Sequence, residues 1–211
     1  MNELKIPRSQ FSKLFWDLIP PAACPTSHST LEELEGLRAQ AAYKTGSLSD
    51  RDRYEVYALS RYFKPTMVAE VGTFIGRSTF AIADGMDGGT IWTCDASNDL
   101  KLPTHQTVKI HQFPRKASTE MLLAAIAKQV KFNLFYIDGR LSQRDVALMG
   151  ECMDEDGAVI VLDDFEGVEK GVSNAAMLLN EFQHYSLMYP NYGGKTAVMV
   201  SPKLIQFVPQ V

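Results

Sequence analysis

Carboxylates stand at or beside the ends of four apolar runs: Glu70 in "MVAEVGTFIGRST", Asp95 in "TIWTCD", Asp138 in "FYIDGR", and Asp163 with Asp164 in "AVIVLDDFEG". Behind Glu70 come Gly72 and Gly76. Gly72 lets the chain turn sharply and bring its backbone close to a ligand, and Gly76 lets the next helix pack closely on the strand. A loop for a pyrophosphate needs G-x-G-x-x-G, so that phosphate meets the amides at a helix start. Here the spacing is G-x-x-x-G, with Thr73 and Phe74 in the middle. Glu70, placed at the strand end, would repel phosphate. The loop suits a ligand with a positive amino group and an adenosine but no phosphates. The later acids point to a cation: neighbouring strands lie about 4.8 Å apart, so Asp138 and the Asp163/Asp164 pair can converge. A hard divalent ion would relieve their repulsion. In the alternative, Asp138 touches a ligand directly and the paired acids cap the following helix without metal.

These residues need a scaffold that brings several strand ends together. Beyond Pro65 the apolar runs "MVAEV", "TIWTC", "TVKIH", "FNLFYI" and "AVIVL" alternate with helical segments, among them "RSTFAIADGM", "STEMLLAAIAKQV" and "SQRDVALMGECM". That alternation predicts a doubly wound parallel sheet. "FNLFYI" and "AVIVL", apolar at nearly every position, read as central strands covered on both faces. After a helix in "EKGVSNAAMLLNEFQ", two strand-like runs in "HYSLMYPNYGGKTAVMVSP" are joined too tightly for a crossover helix, so the sheet ends in an antiparallel hairpin. Two helices are expected before the sheet. One is capped by Ser29 or Thr30, with Glu32 and Glu33 in its first turn, and is ended by Gly46; the other is capped by Ser49 and stopped by Pro65.

Composition excludes other classes. The 211 residues are 45% hydrophobic and 22% charged with a net charge of -4, which predicts a soluble globular protein. Lysines and arginines are scattered, so neither nucleic acid nor a membrane surface is expected as a partner. No run approaches the roughly 20 apolar residues of a membrane span. Cys24, Cys94 and Cys152 are too few and too far apart for a disulfide framework or a zinc site, which suggests a reducing cytoplasm.

Taken together, the segments from about Lys44 to Ser201 resemble the class I S-adenosylmethionine-dependent methyltransferases, and most closely the catechol O-methyltransferase-like branch. The resemblance implies an α/β fold: a Rossmann-like, seven-stranded, mostly parallel sheet with an antiparallel C-terminal hairpin and helices on both faces. It makes residues 1–45 a helical extension or lid and residues 46–211 the methyltransferase domain. Glu70, Gly72, Thr73 and Gly76 would hold the methionine end of the cofactor, with Phe74 and Ser78 also on it. Asp95, 23 positions after Gly72, would accept both ribose hydroxyls, with Ala96 beside it. Ala117 and Ser118 in "RKAST" would meet adenine; alternatively Ser118 and Thr119 cap the next helix. Asp138 would touch the cofactor and share a magnesium or other divalent ion with Asp163 and Asp164.

The implied reaction is methylation of a small-molecule acceptor at oxygen, with Asp138 and Arg140 as the catalytic pair. The chain departs from the pattern at two points. Leu141 stands where catechol-methylating members carry a basic lysine, and Arg140 stands where other relatives use a histidine. Arg140 and Arg144 cannot take up a proton, but either can hold an anionic acceptor or an alkoxide. A base would have to come from His111, His184, Tyr192 or Lys195. Phe15, Trp16 and Tyr43 would line the lid or form a homodimer surface. The departures leave room for a second reading, a cofactor-binding protein without turnover. A nicotinamide-dependent oxidoreductase requires the other loop spacing and ranks last.

Overall fold

The computed structural model describes residues 25–165, 167–188 and 195–205. Two helices lead, α1 (His28–Leu37) and α2 (Asp50–Phe63). Strands and helices then alternate through β1 (Met67–Val71), α3 (Arg77–Gly85), β2 (Gly89–Asp95), β3 (Val108–Pro114), α4 (Ser118–Ala127), β4 (Leu134–Ile137), α5 (Gln143–Cys152) and β5 (Val159–Leu162). A π-helical turn (Val168–Val172) runs into α6 (Ser173–Glu181), followed by β6 (Ser186–Met188), β7 (Ala197–Val200) and the single turn α7 (Pro202–Ile205).

The strands form one seven-stranded sheet in the order β3-β2-β1-β4-β5-β7-β6. β1 to β5 run parallel, and β7 runs against both β5 and β6. The doubly wound sheet and its reversed terminal pair are those expected from the sequence. Strand order reverses between β1 and β4, which opens a crevice at their carboxyl ends.

Period-two alternation gives the sheet two apolar faces. Val68, Leu134, Tyr136, Val159 and Val161 pack toward α2 and α3. Ala69, Phe135, Ile137, Ile160 and Leu162 pack toward α4, α5 and α6. Cys94 and Cys152 are free and buried in the interior. Among the described residues no helix is long and apolar enough to cross a membrane.

Of the two leading helices, the second has the expected ends and the first does not. Ser49 caps α2 by accepting from Asp52 N at 3.2 Å, as anticipated, and Pro65 follows its left-handed last residue, Lys64. α1, however, is capped by Ser27, whose Oγ accepts from Thr30 N at 3.2 Å, so Glu32 and Glu33 lie beyond its first turn. It stops at Leu37, well before Gly46. Lys44 Nζ folds back to donate to the carbonyls of Arg38, Ala39 and Ala41, which satisfies the chain just past the helix without further turns. Phe15, Trp16, Cys24 and Tyr192 lie outside the described residues.

Gly85 sets the spacing of α2 and α3. A Cβ there would lie 2.6 Å from Ser60 Cβ and 2.7 Å from Tyr57 O, and Ser60 Oγ donates to Ile82 O at 2.8 Å across the same contact. Overpacking of this kind costs about 1–3 kcal/mol. Gly85→Val should therefore lower the urea midpoint by that equivalent; an unchanged midpoint would show that the two helices are not in close contact.

Candidate functional site

The crevice is built from strand exits. At β1, Gly72 (φ 103°) and Gly76 (φ 88°) both take the left-handed region. A Cβ on Gly72 would lie 3.1 Å from the Asp138 carbonyl carbon, so the exits of β1 and β4 touch backbone to backbone. A Cβ on Gly76 would meet Leu102 at 2.6 Å, so this glycine makes room for the chain that follows β2. Between them, Thr73 Oγ1 sits 2.5 Å from Thr93 Oγ1, and Phe74 holds an uncommon φ of 44°. A non-glycine residue persists there because its surroundings over-determine it.

Glu70 is placed differently from expectation. The last residue of β1 is Val71, so Glu70 lies inside the strand and faces α3, on the side shared with Val68. Its fully buried carboxylate accepts from Ser78 Oγ and Thr79 Oγ1, each at 2.6 Å. Ser78 is thus also committed to this pair. Burial pushes Glu70 up to about 7, against the lowering effect of the two hydroxyls. Glu70 clamps the start of α3 onto β1, and its phosphate-repelling role loses its geometric basis; the glycine spacing remains.

At the end of β2, Asp95 is a hub. Its Oδ1 accepts from the amides of Ser97 (2.8 Å) and Asn98 (2.9 Å). Its Oδ2 accepts from Phe74 N (2.8 Å), Tyr43 Oη (3.0 Å) and Asn98 Nδ2 (3.3 Å). Ala96 is exposed beside it. The Tyr43 ring stacks on Phe74 with centroids 4.5 Å apart and planes 16° apart. Burial, then the Asp95 charge, raises the Tyr43 hydroxyl pKa well above its ordinary value, so it stays a donor. Tyr43 is the one donor in this set from outside the β1 and β2 exits.

Two depressions meet at Phe74. One is lined by Asp95, Gln112 and Phe113, the other by Gly46, Gly72, Ser78 and Asp138. At the position expected to meet adenine, Ala117 is exposed and Ser118 is buried. Neither Ser118 nor Thr119 caps α4: the cap residue is Ala117, whose amide donates to Glu120 Oε2 at 3.0 Å, and Thr119 Oγ1 donates to Asp145 Oδ1 at 2.5 Å.

Asp138, Asp163 and Asp164 do converge, each offering an oxygen within 4.8 Å of the others. Burial raises the Asp138 and Asp163 carboxyls, and for Asp163 the Asp138 charge adds to it. Asp163 Oδ1 is buried with no hydrogen-bond partner among the described residues. A cation already sits in the cluster, however. Lys170 Nζ donates to Asp138 Oδ1 and to Asp138 O at 3.0 Å, and forms an ion pair with Asp164 Oδ2 at 2.8 Å. Burial opposes its charge, but Asp138 and Asp164 outweigh burial and hold its pKa above the ordinary value. Neither Asp163 nor Asp164 caps a following helix.

Lys170 was missed in the sequence, although a signal was present. A Cβ on Gly171 would lie 2.5 Å from Phe165 Cα, so that glycine lets the π-helical turn fold back onto the β5 exit. Asp164 itself takes a left-handed φ of 49°. Of the proposed bases, Lys195 comes near, with Nζ 3.9 Å from Asp164 Oδ1. His111 lies within β3 against Trp92, and His184 precedes β6 at the opposite edge of the sheet. Leu141 is packed in the core with its amide on Asn174 Oδ1 at 3.0 Å, and Arg140 and Arg144 are exposed.

The sheet order and the glycine turn at its switch point are those of the class I methyltransferase fold. An O-methyltransferase from Bacillus cereus in complex with SAH (S-adenosylhomocysteine) superposes with a TM-score of 0.61 at 17% identity, over 90% of this chain and 96% of that one. An SAH-bound methyltransferase from Podospora anserina gives 0.59 at 14% identity, over 95% and 100%. TomG, an O-methyltransferase from Streptomyces achromogenes involved in tomaymycin synthesis and solved with SAM (S-adenosylmethionine), gives 0.57 at 14%, over 93% and 99%. No protein-family model and no curated protein matches the chain.

The Glu70 clamp has a pH signature. Its carboxyl titrates near 7 folded against an ordinary 4.5, so between these values the folded protein keeps a proton that the unfolded chain releases. Its contribution is complete below pH 4.5 and is lost as pH rises toward 7. Relative to Glu70→Gln, the wild type should lose stability across that window in urea titrations; parallel pH profiles would show that Glu70 is not held protonated.

Proposed function

We propose that the chain is a SAM-dependent methyltransferase acting on a hydroxyl of a small-molecule acceptor. The observation that carries this reading is the juxtaposition, at one switch point, of the left-handed Gly72 turn, the Asp95 hub and Asp138. The Gly72 turn leaves no room for a Cβ and presents backbone to the cleft. Asp95 supplies a two-oxygen acceptor of the kind a ribose diol requires. The solved neighbours bound to SAM or SAH support the reading through their shared fold.

When bound, SAM would supply an activated methyl group on a sulfonium, transferred to the acceptor oxygen with S-adenosylhomocysteine as the leaving group and the acceptor proton passing to Asp138 or water. The protein's share is alignment and exclusion of water, for which good geometry alone gives large accelerations. In this reading Gly72, Thr73 and Phe74 shape the methionine end of the cleft, while Asp95 takes the ribose after Tyr43 withdraws. Ala96, Ala117 and Ser118 border the adenine. Glu70 and Ser78 act beneath the turn, holding α3 and Gly76 in place. Asp138, which lines the cleft and carries a raised carboxyl pKa, is the acid–base group nearest the acceptor; Arg140 anchors an anionic acceptor from the rim.

A second reading, a protein that binds the cofactor without turnover, is favoured by one observation: Leu141 is locked in the core, so no basic group stands at that position. Methyl transfer from labelled SAM to a panel of phenols and alcohols separates the two. Transfer supports the first reading, and SAH binding by calorimetry with no transfer supports the second. Gly72→Val should abolish SAH binding in either case, and unchanged affinity would remove this loop from the account. Tyr43→Phe removes the competing hydroxyl but keeps the ring stack. It should tighten SAH binding about two- to tenfold, as expected for a hydrogen bond worth about 0.5–1.5 kcal/mol; weaker binding would show that Tyr43 belongs to the bound site.

A further inference from the structure

We infer that Lys170 is a built-in cation that takes the place of a divalent metal ion at Asp138, Asp163 and Asp164, so that this chain holds its acidic cluster without metal. The donor set by itself suits a hard cation: three carboxylate oxygens within 4.8 Å of one another, one of them, Asp163 Oδ1, buried and unpartnered among the described residues. The Lys170 ammonium nevertheless occupies the same centre. Nζ donates to Asp138 Oδ1 and Asp138 O and forms an ion pair with Asp164 Oδ2 at 2.8 Å. Its charge is therefore directed into the cluster.

A divalent ion ligated by these carboxylates would sit about 2.0–2.6 Å from their oxygens. Nζ lies within hydrogen-bond distance of oxygens on two of the same side chains, so ion and ammonium would be forced together with like charge and no shielding group between them. They compete for one place. The ammonium's hold on that place is structural: Gly171 lets the π-helical turn lie against the backbone of Asp164 and Phe165, and Gly167 N closes the turn just before it by donating to Asp164 O at 2.8 Å. Lys195 Nζ, 3.9 Å from Asp164 Oδ1, adds a second positive charge on the outer side.

Held by Asp138 and Asp164, Lys170 acts on the cluster and not on an acceptor. It is a positioning residue that joins the β4 exit to the β5 exit and fixes the Asp138 carboxylate in the cleft. The inference deepens the methyltransferase reading, but its test is independent of turnover.

The experiment titrates Mn²⁺ into the full chain and follows the free-ion signal by electron paramagnetic resonance, for the wild type, Lys170→Met and Lys170→Arg. Circular dichroism and SAH calorimetry are run on each protein. Wild type and Lys170→Arg should leave the Mn²⁺ signal unchanged, whereas Lys170→Met should bind the ion at least about tenfold more tightly and gain thermal stability when it is added. Adding Asp163→Asn to Lys170→Met should remove the gain. Saturable Mn²⁺ binding by the wild type that is lost in Asp163→Asn would overturn the inference, as would a folded Lys170→Met that gains no affinity. If Lys170→Met does not fold, the wild-type titration and its Asp163→Asn control decide the matter alone. Loss of SAH binding by the wild type would count against the methyltransferase reading and leave the metal result standing.

Discussion

The backbone of Gly72 lies against the peptide that joins Asp138 to Gly139, and the site depends on that contact. β1 is held on both flanks where it ends: Gly72 N donates to Cys94 O at 2.9 Å, and Asp138 N donates to Val71 O at 2.8 Å. Three strand exits therefore leave the sheet at one level, and whatever side chains follow them are delivered to one crevice. A side chain at position 72 would need both a disfavoured φ and space that the Asp138 backbone already fills. The turn comes first, and the placement of Asp95 and Asp138 follows from it.

Two buried polar hubs stand on either side of this contact and work in different ways. Glu70 faces inward and spends both oxygens on α3, so it stabilises the platform. Asp95 gathers donors from the β1 exit, the β2 exit and the leading segment, and so links elements that are distant in sequence. The first hub has no route to solvent. The second includes a donor from the leading segment, the hydroxyl of the exposed Tyr43.

Much of this was legible in the sequence, for reasons that vary with the residue. The alternation of apolar runs with helical segments identified the parallel sheet, and the short link before "TAVMV" identified its reversed end, because both are consequences of connection length. The G-x-x-x-G spacing located the switch point. The reading failed where a side chain's direction mattered more than its neighbourhood. Glu70 looks like a strand-end acid until period-two alternation places it with Val68 beneath α3. Asp163 and Asp164 were correctly gathered with Asp138, but Lys170 was not, since its position depends on a π-helical turn that no periodicity announces. Only Gly171, needed for the turn to close, left a trace. Ser27 was overlooked as the α1 cap because Ser29 and Thr30 stood nearer the apolar pattern and offered the same hydroxyl.

The ammonium set among three carboxylates also bears on how such a site changes over generations. Lysine codons lie a single base away from methionine, asparagine, glutamine and threonine codons, none of which carries a positive charge. One mutation is enough to leave the acids facing one another with their geometry intact, already spaced for an ion that the surroundings can supply. Forms of the fold that bring their own cation and forms that recruit one from solution are then adjacent in sequence space, and a lineage could cross between them without rebuilding a strand or a loop.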